Sequence, residues 1–341
     1  MHAKSPYSAR IIGTGSAFPE RILTNQGLTD QLAQKGIETS HEWILERTGI
    51  VQRHISEPGN PAETNSSLGT RAAQQALEMA GLGPNDIDAI FYATCTPDTL
   101  IPSTACWLQK KLGAKRAFAY DINAACSGFV YALAAADQHI RSGQIKRALV
   151  VGAEVITSFL NWDDRTSCIL FGDGAGAVVV EATEEGSPRR ILSSHMHSDG
   201  ELWELFYMPG GGSACPPSPD VVAQKLATMQ MKGKEIFKVA TKTLAEFAVR
   251  AIEANKIQPA QVDWIIPHQA NLRIIEAVAR RLDFPMERVL VNVDRRGNTS
   301  AATVPTALDE AVRDGRVKPG QTLLFDVFGA GLTYGSVLVK W

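Results

Sequence analysis

Only five of the 341 residues are cysteine: Cys95, Cys106, Cys126, Cys168 and Cys215. Their number is odd, they are widely spread, and none forms a Cys-x-x-Cys pair, which argues against a disulfide framework or a zinc site. Charge of one sign is equally scarce. The 34 basic and 36 acidic residues leave a formal net charge of -2, so nothing global attracts nucleic acid or an anionic membrane. No apolar run approaches the roughly 20 residues that span a bilayer. The opening "MHAKSPYSARIIGTG" carries a basic residue but no continuous apolar segment of the signal-peptide kind. We expect a soluble, cytoplasmic protein with neither a membrane nor a nucleic-acid partner.

What is present is apolar and alternating. The hydrophobic content of 45% suffices for a large core in two domains or one duplicated fold. Runs rich in Val, Ile, Leu and Phe predict strands over 87–94, 147–155, 174–182, 262–268, 288–293 and 321–329. Helical periodicity appears over 67–82 and 238–257. Such alternation implies α/β layers with strands buried on both faces. Gly/Pro-rich "FYMPGGGSACPPSPD" (206–220) and "HISEPGNPAETNSS" (54–67) read as loops.

The chain also repeats itself. "ALEMAGLGPNDIDAIFYAT" parallels "AIEANKIQPAQVDWIIPHQ", with Pro84 matching Pro259 and Asp88 matching Asp263. Each is followed by an amphipathic helix, then by a strand and a turn of small residues, "FAYDINAACSGF" in one half and "LVNVDRRGNTSAA" in the other. The register there is read as drifting by a residue or two, which sets Asn298 nearly opposite Cys126. We expect two similar halves, 1–183 and 184–341, whose pseudo-twofold packing brings these turns face to face.

Three side chains stand out. Cys126 opens a nearly all-apolar helix, where unpaired N–H groups and the macrodipole favour thiolate, and Ala124, Ala125 and Gly128 leave room for a substrate. His268 follows a buried strand at its C-terminal end, where α/β folds place their sites. Asn298 lies in a Gly-Asn turn. A core histidine and an ordinary turn residue are the plainer readings of the last two. "FGDGAGA" (171–177) has no phosphate-loop spacing and reads as a strand needing close backbone approach. "HMH" (195–197) has no third ligand near it in sequence, so no metal is expected.

Taken in order, "NAACSGF", "GDGAGA", "PHQANLRI", "GNTSAA" and "FGAGLTYGS" closely resemble the β-ketoacyl-acyl carrier protein synthase III family of the thiolase superfamily. "EWILERTGI" and "PTALDEAVRDGRVKPGQ" fit the same pattern, so the resemblance spans essentially the whole chain. It implies a thiolase-like five-layered αβαβα fold from two duplicated halves, usually a homodimer. It implies an acyltransferase performing a decarboxylative Claisen condensation: an acyl-CoA primer is loaded on a cysteine and joined to malonyl-acyl carrier protein, starting fatty-acid synthesis. No cofactor is implied; the coenzyme A thioester is itself a substrate.

By this resemblance Cys126, His268 and Asn298 are catalytic. The backbone N–H groups of Cys126 and Ala330 form an oxyanion hole, and Asn271 supports the constellation. Trp43, Arg47 and Arg165 bind coenzyme A. Arg273, Arg280 and Arg281 form a helix face for docking an acidic carrier protein. Ile101 stands where acetyl-primed relatives often have Phe at the end of the primer pocket, reached across the dimer, so a longer or branched primer is an alternative. A relative in secondary metabolism keeps the same three residues. A papain-like hydrolase would have Trp after its cysteine, where Ser127 stands here. A thiolase would have a second catalytic cysteine near the C-terminus, and none follows Cys215.

Overall fold

Strands that are apolar on both faces must be covered on both, and this chain covers two sheets with three helical layers. The structure is a computed structural model and describes residues 5–341. The first sheet has the order β1-β5-β4-β2-β3, built from β1 (Tyr7–Ala17), β2 (Ala89–Ala93), β3 (Phe118–Ile122), β4 (Arg147–Glu154) and β5 (Gly174–Glu184). The second runs β6-β9-β8-β7, from β6 (Arg190–Ser198), β7 (Trp264–Pro267), β8 (Thr322–Gly329) and β9 (Thr333–Lys340). In both orders the first two pairings are antiparallel and the remainder parallel, so one topology occurs twice.

A short helix, α1 (His41–Thr48), lies between β1 and the first covering helix. Ser40 caps it by accepting from the Trp43 N–H, and left-handed Gly49 ends it. Helices α2 (Asn65–Ala80) and α3 (Thr104–Leu112) cover the outer face of the first sheet with Leu68, Ala72, Ala76 and Leu108. Helices α5 (Gly233–Ala254) and α6 (Leu272–Arg281) cover the second with Ala248, Ala251, Ile252, Ile275 and Ala279. Between the sheets lie α4 (Gly128–Arg141) and α7 (Thr303–Arg313), and their Phe129, Val130, Leu133, Val304, Ala307 and Leu308 share one core with both sheets. Full burial of each large side chain among these contributes about 1.5–3 kcal/mol. The near-absence of a polar face on α4 follows from this central place.

The repeat is tighter than the sequence suggests. The turns Ala125–Ser127 and Ser300–Ala302 keep the same 175-residue spacing as Pro84 and Pro259, without drift. Ala125 and Ser300 share a left-handed backbone, with φ of 47° and 52°. Asn123 and Asn298 each accept from the N–H two residues on, at 3.3 and 2.8 Å. The partner of Asn298 is therefore Asn123, and Cys126 corresponds to Ala301. The two turns do pack against each other, as expected.

One expected strand is absent. Residues 288–293 make only an isolated bridge, Val289 to Ile265, because a side chain replaces the ladder there. Gln269 donates to the Leu290 carbonyl at 3.0 Å and accepts from Asn292 and Val293 N–H at 3.0 and 3.3 Å. Strand β1 escapes the apolar pattern because α2 runs over it. A Cβ on Gly13 or Gly15 would lie 2.1 Å from the Ala76 or Ala72 carbonyl oxygen. The Gly-rich start of β5 behaves as expected, since a Cβ on Gly176 would meet Pro305 of α7 at 2.7 Å. The 206–220 segment is less irregular than expected: Phe206–Tyr207 pair with Gln230–Met231, and Pro219–Ala223 form a short helix.

Gly152 of β4 admits the second half equally closely, since a Cβ there would sit 2.4 Å from the Ala301 carbonyl oxygen. Gly152→Ala is expected to lower stability by about 1–3 kcal/mol, as an overpacked core does. Gly200→Ala, with open space at its Cβ, should change it by less than about 0.5 kcal/mol. Chemical denaturation of both variants checks this; equal effects would mean that the approach of the halves tolerates a methyl group.

Candidate active site

The turn that carries Cys126 is held from both sides. Strand β3 delivers the chain to Asn123, whose side chain supports the left-handed Ala125. The Thr333 hydroxyl donates to the Ala124 carbonyl at 2.8 Å, and the Ser127 hydroxyl donates to the Thr333 carbonyl at 2.9 Å, tying the turn to β9. Strand β8 ends directly against it: a Cβ on Gly329 would lie 2.8 Å from the Cys126 nitrogen. Ala330 follows, half-buried, and lines the same cavity as Cys126.

His268 lies just past β7, buried, with Nδ1 2.8 Å from the Thr303 hydroxyl oxygen. That hydroxyl also lies 2.9 Å from the Ser300 carbonyl. It has one proton, so its rotation decides which ring nitrogen of a neutral His268 bears hydrogen. Asn298 is pinned by backbone bonds to Leu170 and Gly172. Because its Oδ1 accepts from the Ser300 N–H, its Nδ2 is the free end. Neither His268 Nε2 nor Asn298 Nδ2 has a hydrogen-bond partner among the described residues. Asn271 caps α6 by accepting from the Arg273 N–H at 2.8 Å and donates to the Arg47 carbonyl at 3.0 Å, so it joins α1 to the site.

Two cavities meet at Cys126. One, about 320 Å³, runs past Trp43, Arg47, Phe206 and Asn271 to Cys126, His268 and Asn298. The other, about 460 Å³, is mostly apolar; Cys95, Ile156, Phe159, Trp203, Met208 and Met229 line it with Cys126 and Ala330. A larger hollow beside Glu57, Glu63 and Asp98 contains none of the three chemical groups. A reagent entering along Trp43 thus meets the thiol between two polar donors, with an apolar space beyond.

Burial dominates the electrostatics. It pushes the Cys126 thiol up to about 12, with the polar Ser300 side chain opposing it and the Glu154 charge adding to it. The thiolate expected from a helix start is overridden, because the thiol is buried and precedes α4 by a 3-10 turn. Burial also holds His268 down to about 3, so its imidazole is neutral at any ordinary pH.

The remaining expected residues divide. Trp43 carries two guanidinium groups over its ring, Arg47 at 4.3 Å and Arg165 at 4.8 Å, and Arg165 also donates to the Glu38 carbonyl. Arg273, Arg280 and Arg281 are exposed on α6 and form no ion pair among the described residues. Ile101 is 89% exposed and lines neither cavity of its own chain. No group of three or more potential metal ligands occurs among the described residues, and no described helix is long and apolar enough to cross a membrane. Sequence reading missed Ser300, Thr303, Gln269 and Glu154. Only Glu154, a carboxylate inside an apolar strand, stands out in the sequence.

Residues 120–200 match the 3-oxoacyl-[acyl-carrier-protein (ACP)] synthase III family, and residues 252–341 match its C-terminal domain. The β-ketoacyl-[acyl-carrier-protein] synthase III of Thioalkalivibrio sulfidiphilus is 53% identical over 333 residues, 98% of this chain and 99% of that protein. The crystal structure of the 3-oxoacyl-[acyl-carrier-protein] synthase III from Aquifex aeolicus superposes with a TM-score of 0.88 at 44% identity, over 98% of this chain and all of that one. The priming β-ketosynthase of the R1128 polyketide pathway gives the same TM-score at 33% identity, over 99% of this chain and 98% of its own. The chain therefore belongs to the β-ketoacyl-acyl carrier protein synthase III family of the thiolase superfamily, acyltransferases that condense an acyl-CoA primer with malonyl-acyl carrier protein to begin fatty-acid synthesis.

Proposed function

We propose that Cys126 is the nucleophile that takes the acyl group from acyl-CoA, and that His268 and Asn298 then stabilise the enolate formed when malonyl-acyl carrier protein loses CO2. The observation that carries this reading is the convergence on one cavity of a buried thiol with two neutral, otherwise unpaired donors. The sulfur attacks the primer carbonyl, whose oxygen becomes an oxyanion facing the N–H groups of Cys126 and Ala330. Coenzyme A leaves. The malonyl thioester then enters, and its carbonyl accepts hydrogen bonds from Asn298 Nδ2 and His268 Nε2. Donation by His268 requires the tautomer in which the Thr303 hydroxyl turns toward Nδ1. Two neutral donors suit a charge that appears only after CO2 departs, and the enolate carbon then attacks the Cys126 thioester. No metal or cofactor takes part in this scheme; coenzyme A is a substrate.

Trp43, Arg47 and Arg165 would hold the adenine end of coenzyme A at the mouth of the first cavity, the guanidinium groups giving up the indole face to the base. Arg273, Arg280 and Arg281 would receive the carrier protein. The partner in a homodimer would bring its own Ile101 loop to the apolar cavity, for which the exposure of Leu100 and Ile101 speaks. A division at 183/184, at the end of the last strand of the first sheet, and a cytoplasmic location complete the reading.

His268→Ala or Asn298→Ala should leave acyl transfer to the enzyme within a few-fold of the parent and slow condensation by about 10²–10³-fold each. Because the folded His268 stays neutral above about pH 3, decarboxylation should show no inflection between pH 5 and 8. Release of labelled CO2 from malonyl-acyl carrier protein measures both, and a step near pH 6.5 would overturn the neutral-donor role.

The apolar cavity is many times larger than an acetyl group, given about 30 Å³ for a unit the size of water. Octanoyl- or isobutyryl-CoA should therefore prime at least as fast as acetyl-CoA, and strict acetyl preference sinks that expectation. In the same assay Arg280→Glu should raise the KM for malonyl-acyl carrier protein and leave primer loading unchanged.

A further inference from the structure

One end of the second sheet collects cations that no carboxylate pairs. Lys340 of β9 lies directly across from Arg190 of β6, and Thr322 of β8 lies across from Lys340 on its other side. Side chains paired in register share one face, so two like charges and a hydroxyl stand in a row, and like charges so opposed destabilise a sheet. Arg190 and Lys340 are both half-buried, and neither forms an ion pair among the described residues. The row borders a cavity of about 310 Å³ whose apolar wall is Pro188, Leu192 and Ile257, and no carboxylate lines it.

The free ends of the side chains around this cavity are donors. Arg190 Nη1 donates to the Ser187 carbonyl, which leaves its Nε and Nη2 edge open, the fork that grips two oxygens of one anion. Lys340 Nζ donates to Thr322 Oγ1 at 3.0 Å, so the Thr322 hydroxyl proton is left to donate, and two ammonium protons remain. Gln261 Oε1 accepts from the Gln258 N–H at 2.8 Å, so its Nε2 is the free end. The carboxylate beside this row is Asp263. It accepts from the Thr322 N–H at 2.7 Å and does not line the cavity. Arg288 adds a third cation there, donating to the Ala260, Val262 and Asp263 carbonyls.

We propose that this cavity binds a small phosphate monoester, its phosphate between Arg190 and Lys340 and its apolar group against Leu192 and Ile257. A phosphate monoester is doubly ionised above about pH 6. It therefore cancels both opposed charges, where a carboxylate or sulfonate leaves one over. At about 30 Å³ for a unit the size of water, the cavity holds about ten such units, enough for a phosphate group and a body of about five or six heavy atoms. The site is separate from the condensation chemistry. Strand β8 runs eight residues from Thr322 to Gly329, so roughly 23 Å, at about 3.3 Å per residue, separates the row from the strand end that meets Cys126. The ligand is held there and not transformed.

Isothermal titration at about pH 7.5 and fixed ionic strength tests this with phenyl phosphate, inorganic phosphate and benzenesulfonate, in the parent, Arg190→Gln and Lys340→Gln. Saturating coenzyme A is present throughout, so that the catalytic cavity does not compete for the probes. Phenyl phosphate should bind the parent once per chain, several-fold more tightly than either other probe, because only it has both the dianion and the apolar group. Each substitution should weaken it about tenfold or more, the loss of a charged hydrogen-bond donor, and leave the rate of acyl-enzyme formation parental. That rate also shows that a variant is folded. Lys340→Glu, which can pair with Arg190 across the strands, should abolish phosphate binding and raise the thermal midpoint; it serves if a glutamine variant fails to fold. Absence of saturable binding in the parent, binding of parental strength in both glutamine variants, or retained phosphate binding in Lys340→Glu overturns the site. Benzenesulfonate binding as tightly as phenyl phosphate overturns the preference for a dianion.

Discussion

The site depends on the approach of the two halves at two strand ends. Strand β8 of the second half ends at Gly329, with no room for a Cβ against the Cys126 nitrogen, and β4 of the first meets the Ala301 carbonyl at Gly152. Cys126 comes from one half; His268 and Asn298 come from the other. None of these residues can be moved by a methyl group without moving the others, because interiors are packed at crystal density. The central helices α4 and α7 supply the apolar area that holds the halves together.

Duplication explains how one fold holds three chemical groups without crowding. At the places where the second half has His268 and Asn298, the first has Ala93 and Asn123; where the first has Cys126, the second has Ala301. Asn123 and Asn298 keep the same local bond to the N–H two residues on, yet only Asn298 lines the cavity shared with His268. Each half keeps the backbone device, a left-handed residue that opens a short turn. Burial then sets the chemistry: it keeps His268 neutral and makes Cys126 a reluctant thiolate.

Much of this was legible in the sequence. Apolar runs marked β2, β4, β5 and β8, because strands buried on both faces are continuous in composition. The repeat marked the two turns. Local position and the repeat brought Cys126, His268 and Asn298 to notice, the family pattern gave them a role, and the structure sets all three on one cavity. Strand β1 was hidden because its glycines answer to α2, which no local window can see. The 288–293 segment reads as a strand by composition, but Gln269 takes its hydrogen bonds, a tertiary effect. The thiol misled because a helix start is a local feature and burial is not.

The most direct measurement is to incubate the enzyme with acyl-CoA alone, digest it and map the acyl group by mass spectrometry, in the parent and in a His268→Ala/Asn298→Ala double variant. The account predicts one acyl group, on Cys126, in both proteins, with condensation in the parent only. An acyl group on Cys95, which lines the same cavity, or loss of loading in a folded double variant, would contradict it.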